Sequence, residues 1–188
     1  LKAISAAGSS SGSTPLFHAV GLTPEANTLD EALQGNFDVT TIKIEIADLD
    51  KARHELGGSS GGQLRGVALG TPHFSITEFQ CLIELLGNRQ IDPSLILYLT
   101  TSRHVYGLAD KEGWIEILKS AGIKIITDTC TYFSPAINGL EGLIMTNSAK
   151  WAYYAPGMLP VSALIGSLEE CVESAVLGQV QLDSSWTG

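Results

Sequence analysis

Short apolar runs alternate along the chain with amphipathic stretches. Thr40–Ile46 alternates polar and apolar residues, the pattern of a half-buried strand. Asp48–Leu56 follows with helical spacing and stops at Gly57-Gly58, and Ser59–Gly62 reads as a turn. Gly66–Gly70 reads as a short buried strand. Ser75 then opens a helix, with Glu78 completing a capping box, and that helix runs to about Gly87. Leu95–Leu99 is the next predicted strand. One helix is predicted over Leu108–Ala121, closing at Gly122. Ile123–Ile126, Gly142–Met145 and Val161–Ile165 read as strands, and Ser167 and Glu170 form a second capping box that opens a helix to about Leu177. Near the start, Thr23-Pro24-Glu25 has the form of a helix N-terminus. Gly8–Ser13 has the composition of a linker.

Strands alternating with helices imply βαβ units. The expected fold class is therefore α/β: three layers, a mostly parallel sheet, and helices on both faces. Residues 1–188 are expected to form a single α/β domain. The first residue is Leu and not Met, so we expect this domain to be part of a longer polypeptide.

Charge changes the picture in one respect. Eleven basic against twenty acidic residues give a net charge of −9, which disfavours nucleic acid as a partner. An anion site must then be local, built from a few cations and backbone N–H groups. No apolar run reaches the roughly 20 residues of a membrane span. Three widely spaced cysteines, Cys81, Cys130 and Cys171, make no disulfide framework, and a reducing cytoplasmic location is expected. Cys81 and Cys171 read as core residues of helices.

In an open α/β sheet, ligands bind beyond the carboxyl ends of the strands. The segments there hold Thr71, His73 and Ser75; Ser102, Arg103 and His104; Asp128 and Cys130; and Asn147, Ser148 and Lys150. Hydroxyls at such positions either cap helices or bind ligand. Arg103 suits a carboxylate or phosphate, and also a surface ion pair. Lys150 in the first turn of a helix opposes the helix dipole, which favours a ligand role. His73 and His104 are general acid/base groups or packed histidines. Asp128 is a catalyst or a loop cap. Cys130, in a polar loop, is a candidate iron ligand. No CxxC pair exists, so this spacing alone does not build a cluster site.

Several of these segments, taken in order, resemble the aconitase X family. They are Leu16-Phe17-His18 to Thr23-Pro24-Glu25-Ala26, Gly70–Ser75 with Glu78, Thr101-Ser102-Arg103, Asp128-Thr129-Cys130, and Asn147–Lys150 to Tyr154–Gly157. The resemblance implies an aconitase-like fold and a hydro-lyase acting on a small hydroxy acid, with cis-3-hydroxy-L-proline as the leading substrate and mevalonate 5-phosphate as the alternative. It implies an iron–sulfur cluster, 2Fe-2S or 4Fe-4S, with Cys130 as metal ligand and the rest of the ligand set elsewhere. It also implies an N-terminal half and a small swivelling domain as partners. The catalytic candidates are Ser102, His104 and Asp128. The substrate-binding candidates are Thr71, His73, Ser75, Arg103, Asn147, Ser148 and Lys150. Thr71 stands where some family members carry Cys, a departure that favours the hydroxyproline branch. A reading from another class is a non-catalytic domain that binds a small acid or a partner subunit.

Overall fold

The computed structural model describes residues 1–14, 16–57, 62–133 and 137–183. Five strands form one sheet in the order β3-β2-β1-β4-β5, and every neighbouring pair is parallel. They are β1 (Leu64–Phe74), β2 (Ile96–Thr101), β3 (Ile123–Thr127), β4 (Gly142–Thr146) and β5 (Val161–Ile165). The helices are α1 (Lys2–Ser11), α2 (Leu29–Leu33), α3 (Ile46–Gly57), α4 (Ile76–Leu86), α5 (Arg103–Lys111), α6 (Trp114–Ser120), α7 (Ala149–Tyr154) and α8 (Leu168–Leu177).

Strand parity sorts the core into two faces. Val67, Leu69, Leu97, Leu99 and Met145 pack against Phe79 and Leu82 of α4, Ile115 and Leu118 of α6, and Val172 of α8. Ala68, Tyr98, Ile144 and Ala163 face the other way, onto Trp151 and Ala152 of α7. On that second side α3 packs against β5 and α7, and α1 against α7 and β1. The result is the expected three-layer α/β architecture. Among the described residues no helix is long and apolar enough to cross a membrane.

The chain steps outward from β1 to β3, then returns to place β4 on the other side of β1. The carboxyl ends of β1 and β4 therefore flank the point where strand order reverses, the place where such sheets open a crevice.

Several elements differ from the sequence-based expectation. Thr40–Glu45 forms no strand and pairs with none of the five strands. The Thr23-Pro24-Glu25 segment forms turns; the nearby helix, α2, starts instead at Thr28, whose side chain and Glu31 make the capping box. The expected helix over 108–121 is two, because Gly113 takes φ +76° and separates α5 from α6. Gly8–Ser11 lies within helix α1, where serine hydroxyls donate to carbonyls three or four residues back. Cys81 is exposed, not core, because Phe79, Leu82 and Leu86 define the inward stripe of α4 and Cys81 falls off it. Cys171 is buried as expected. Of the predicted turn at Ser59–Gly62, only Gly62 falls within the described residues.

Candidate active site

The site begins with an irregularity in β1. Between two register points, β1 advances from Leu69 to Phe74 while β2 advances only from Leu99 to Thr101. Gly70–His73 therefore bulges out at the carboxyl edge. Buried hydroxyls take up the carbonyls that the bulge pulls from the ladder. Thr100 Oγ1 donates to the Gly70 carbonyl at 2.6 Å and Thr101 Oγ1 to that of Phe74 at 2.7 Å. Thr146 Oγ1 donates to the Ala68 carbonyl at 2.7 Å, and Ser148 Oγ to that of Thr71. Gly70 is required here: its φ is +87°, and a Cβ would stand 2.1 Å from the Thr100 carbonyl oxygen.

Beside the bulge lies a cavity of about 470 Å³. Gly70, Thr71 and Pro72 from β1, Asn147, Ser148 and Lys150 after β4, and Gly166 and Ser167 after β5 line its sheet side. Leu49, Ala52, Arg53 and Leu56 of α3 and Lys2, Ala3 and Ala6 of α1 close it from outside. The walls are thus largely apolar, with the polar groups gathered at the strand ends. Thr71 is only 2% exposed, and its hydroxyl has no hydrogen-bond partner among the described residues. A buried hydroxyl without a partner is costly.

Three cations line the cavity. Arg53 donates to both carboxylate oxygens of Glu170, at 2.9 and 3.1 Å, and to the Ile165 carbonyl at 3.1 Å. Lys2 pairs with Glu78 and donates to the His73 carbonyl at 2.9 Å. Lys150 forms no ion pair among the described residues. It is the cation left available for a bound anion.

Burial of Glu78 pushes its carboxyl up, but the Lys2 ammonium and the backbone and side-chain groups of Ser75 outweigh it, leaving the group below its ordinary 4.5. A lowered carboxyl stabilises the fold above its unfolded value and stops doing so as pH falls through the folded one. Docking of α1 should therefore loosen below about pH 4.5. Limited proteolysis at α1 against pH checks this, and Glu78→Gln should remove the dependence.

The other expected site residues fall into a second group on the same edge. Ser75 and Ser102 cap α4 and α5, accepting from Glu78 N and Val105 N. Arg103 is 85% exposed along its side chain, and its Nε donates to Asp128 Oδ2 at 2.5 Å. The Arg103 backbone N–H also donates to Asp128, at 3.0 Å. That backbone bond, followed by the guanidinium, holds the Asp128 carboxyl below its ordinary range. His73 Nε2 lies 2.9 Å from the Thr129 carbonyl oxygen, and His104 is exposed. Cys130 is half-buried beside Tyr132. Burial, followed by the Cys130 hydrogen bond and the nearby Cys130 and Tyr154 charges, raises the Tyr132 hydroxyl above its usual range. Thus Thr71, Asn147, Ser148 and Lys150 meet at the cavity. Ser75, Ser102, Arg103, His104, Asp128 and Cys130 do not line it, and His73 reaches it only through its carbonyl bond to Lys2.

Arg53 and Lys2 are cavity residues that the sequence reading passed over. Arg53 carried a signal. Leu49, Ala52, Arg53 and Leu56 follow helical i, i+3, i+4, i+7 spacing, so a charge stands on the inward stripe.

Profiles of known families place the whole arrangement. The aconitase X third domain matches residues 64–177, and the aconitase X second domain matches residues 1–54. The chain belongs to the aconitase X family. The cis-3-hydroxy-L-proline dehydratase of Hypocrea jecorina is 39% identical over 181 residues, covering 95% of this chain and 30% of that protein. The phosphomevalonate dehydratase large subunit of Thermococcus kodakarensis is 38% identical over 154 residues, covering 82% of this chain and 38% of its own length. The crystal structure of Thermococcus kodakaraensis aconitase X in its holo-form superposes with a TM-score of 0.78 at 32% identity, covering 93% of this chain and 43% of that one. This aconitase X chain thus spans about a third of the length of these curated relatives.

Among the described residues of this aconitase X chain, no three His, Cys, Asp or Glu side chains gather where they could hold a metal ion. Cys81 is exposed on α4, and Cys171 is buried in α8 with its thiol pushed up chiefly by that burial. The described residues therefore do not form an iron–sulfur site by themselves. Cys130 is half-buried in the loop after β3.

Proposed function

We propose that the chain forms part of the active site of a hydro-lyase that dehydrates cis-3-hydroxy-L-proline. The observation that carries this choice of substrate is the charge of the cavity. Identity alone does not separate the two branches, since 39% and 38% are nearly equal. Of the three lining cations, two are already paired with carboxylates, and Lys150 remains. Among the described residues, one lining ammonium without an ion pair matches one carboxylate. A substrate carrying a carboxylate and a phosphate would demand more compensating charge inside apolar walls. Those walls, made of Ala3, Ala6, Leu49, Ala52 and Leu56, suit the carbon skeleton of a small ring.

In this reading Lys150 binds the substrate carboxylate, and the Thr71 hydroxyl and Asn147 amide orient the ring. Ser148 and the Gly70–His73 bulge hold Thr71 in place. Dehydration removes a proton from the carbon bearing the carboxylate and breaks the neighbouring C–O bond, and the hydroxyl departs with a proton as water. Ser102 is engaged as a cap, and Asp128 is clasped as a carboxylate by Arg103. These two and the exposed His104 do not line the cavity. The group that takes the proton lies outside the cavity lining, and we assign it to the remainder of the catalytic unit.

An iron–sulfur cluster would supply Lewis acidity toward the leaving hydroxyl. This chain would contribute Cys130 to it, and the other ligands would come from beyond the described residues. Cys130→Ser in the complete protein should lower bound iron, because a hydroxyl is a poorer iron ligand than a thiolate. Elemental analysis checks this. Unchanged iron content would make Cys130 an ordinary loop thiol.

A further inference from the structure

The segment from residue 37 to 46 is unlike the rest of the surface. Phe37 is 64% exposed, Ile42 78%, Ile44 67% and Ile46 56%, with Val39 also exposed. Single exposed apolar residues are ordinary; five within ten positions mark an interaction surface. The same stretch carries strand periodicity. As a strand it would present Ile42, Ile44 and Ile46 on one face and Thr41, Lys43 and Glu45 on the other. Residues 37–45 form no helix or strand and Ile46 opens α3, and among the described residues no backbone hydrogen bond links residues 37–44 to another segment. Lys43 and Glu45 already pair with each other at 2.8 Å, so the polar face is neutral and carries no charge of its own into an interface.

We infer that residues 37–46 add as a β-strand to a sheet edge in the portion of the aconitase X unit that lies outside this chain. The occupant follows from extent. The segment falls within the second-domain match, and the sheet of this chain leaves it unpaired. The superposed aconitase X is more than twice as long as the region matched, since 43% of it is covered. The partner strand presents an apolar row to Ile42 and Ile44 and its backbone groups to residues 37–44, with Ile46 at the junction with α3. This inference rests on reading the chain as part of a longer hydro-lyase.

Amide hydrogen exchange across residues 37–46 tests it, measured on the chain alone and on the complete protein, with dehydration of cis-3-hydroxy-L-proline followed on the same complete sample. The expected result is free exchange in the chain alone and exchange slower by roughly a hundredfold in the complete protein. Active complete protein with unprotected 37–46 amides would overturn the strand inference and leave the functional reading standing. Protected amides in an inactive, iron-loaded complete protein would support the strand inference and sink the functional one. Protection in the chain alone, together with a dimeric mass by sedimentation, would make a second copy the partner and overturn the inference.

Discussion

Glu170→Ala should lower the stability of this chain by about 3–5 kcal/mol, the cost of breaking a buried ion pair from one side. The Glu170 side chain is 7% exposed and that of Arg53 16%. Glu170 serves several groups at once. It accepts from Arg53, from Ser167 N at 2.6 Å and from Asp183 N at 2.8 Å. Removing the carboxylate would take the compensating charge from Arg53 and undo the cap of α8, beside the cavity. Glu169→Ala is the control: on the exposed side of the same helix it should cost less than about 0.5 kcal/mol. Urea unfolding of the two variants decides. Equal, small losses would mean that the pair contributes no more than an exposed one.

Lys150→Met in the complete protein should reduce kcat/KM for cis-3-hydroxy-L-proline by roughly ten- to a hundredfold, corresponding to about 1.5–3 kcal/mol for a charged hydrogen bond. Methionine keeps much of the length and apolar stem, so the apolar walls should still pack. Lys150 makes no ion pair within the described fold, so stability should change by less than about 0.5 kcal/mol. Lys150→Arg should recover part of the loss by restoring charge. Wild-type kcat/KM in Lys150→Met would remove the anion site from the cavity.

Much of this was legible in the sequence because it is local. Both expected capping boxes, Ser75 with Glu78 and Ser167 with Glu170, form as read, and each of the strands predicted beyond residue 60 is present. Parallel strands then bring Thr71, Ser102, Cys130 and Asn147 to one edge, since Thr71 lies in the bulge near the carboxyl end of β1 and the other three follow a strand's carboxyl end. What stayed hidden was non-local. Glu170 was readable as a cap but not as the partner of Arg53, 117 positions away. The hydroxyls also divide in a way that spacing does not reveal. Thr100, Thr101 and Thr146 hold the β1 bulge, while Thr71 keeps its hydroxyl unsatisfied at the cavity. The stretch at residues 40–46 misled because alternation makes a strand only where another strand pairs with it, and none of the five does.

The central claim is that the cavity between β1 and β4 receives a small substrate with one carboxylate. Incubating the complete protein with cis-3-hydroxy-L-proline and, separately, with mevalonate 5-phosphate tests it most directly. The account predicts dehydration of the hydroxyproline and no turnover of the phosphorylated acid; turnover of mevalonate 5-phosphate with the hydroxyproline left intact would contradict it.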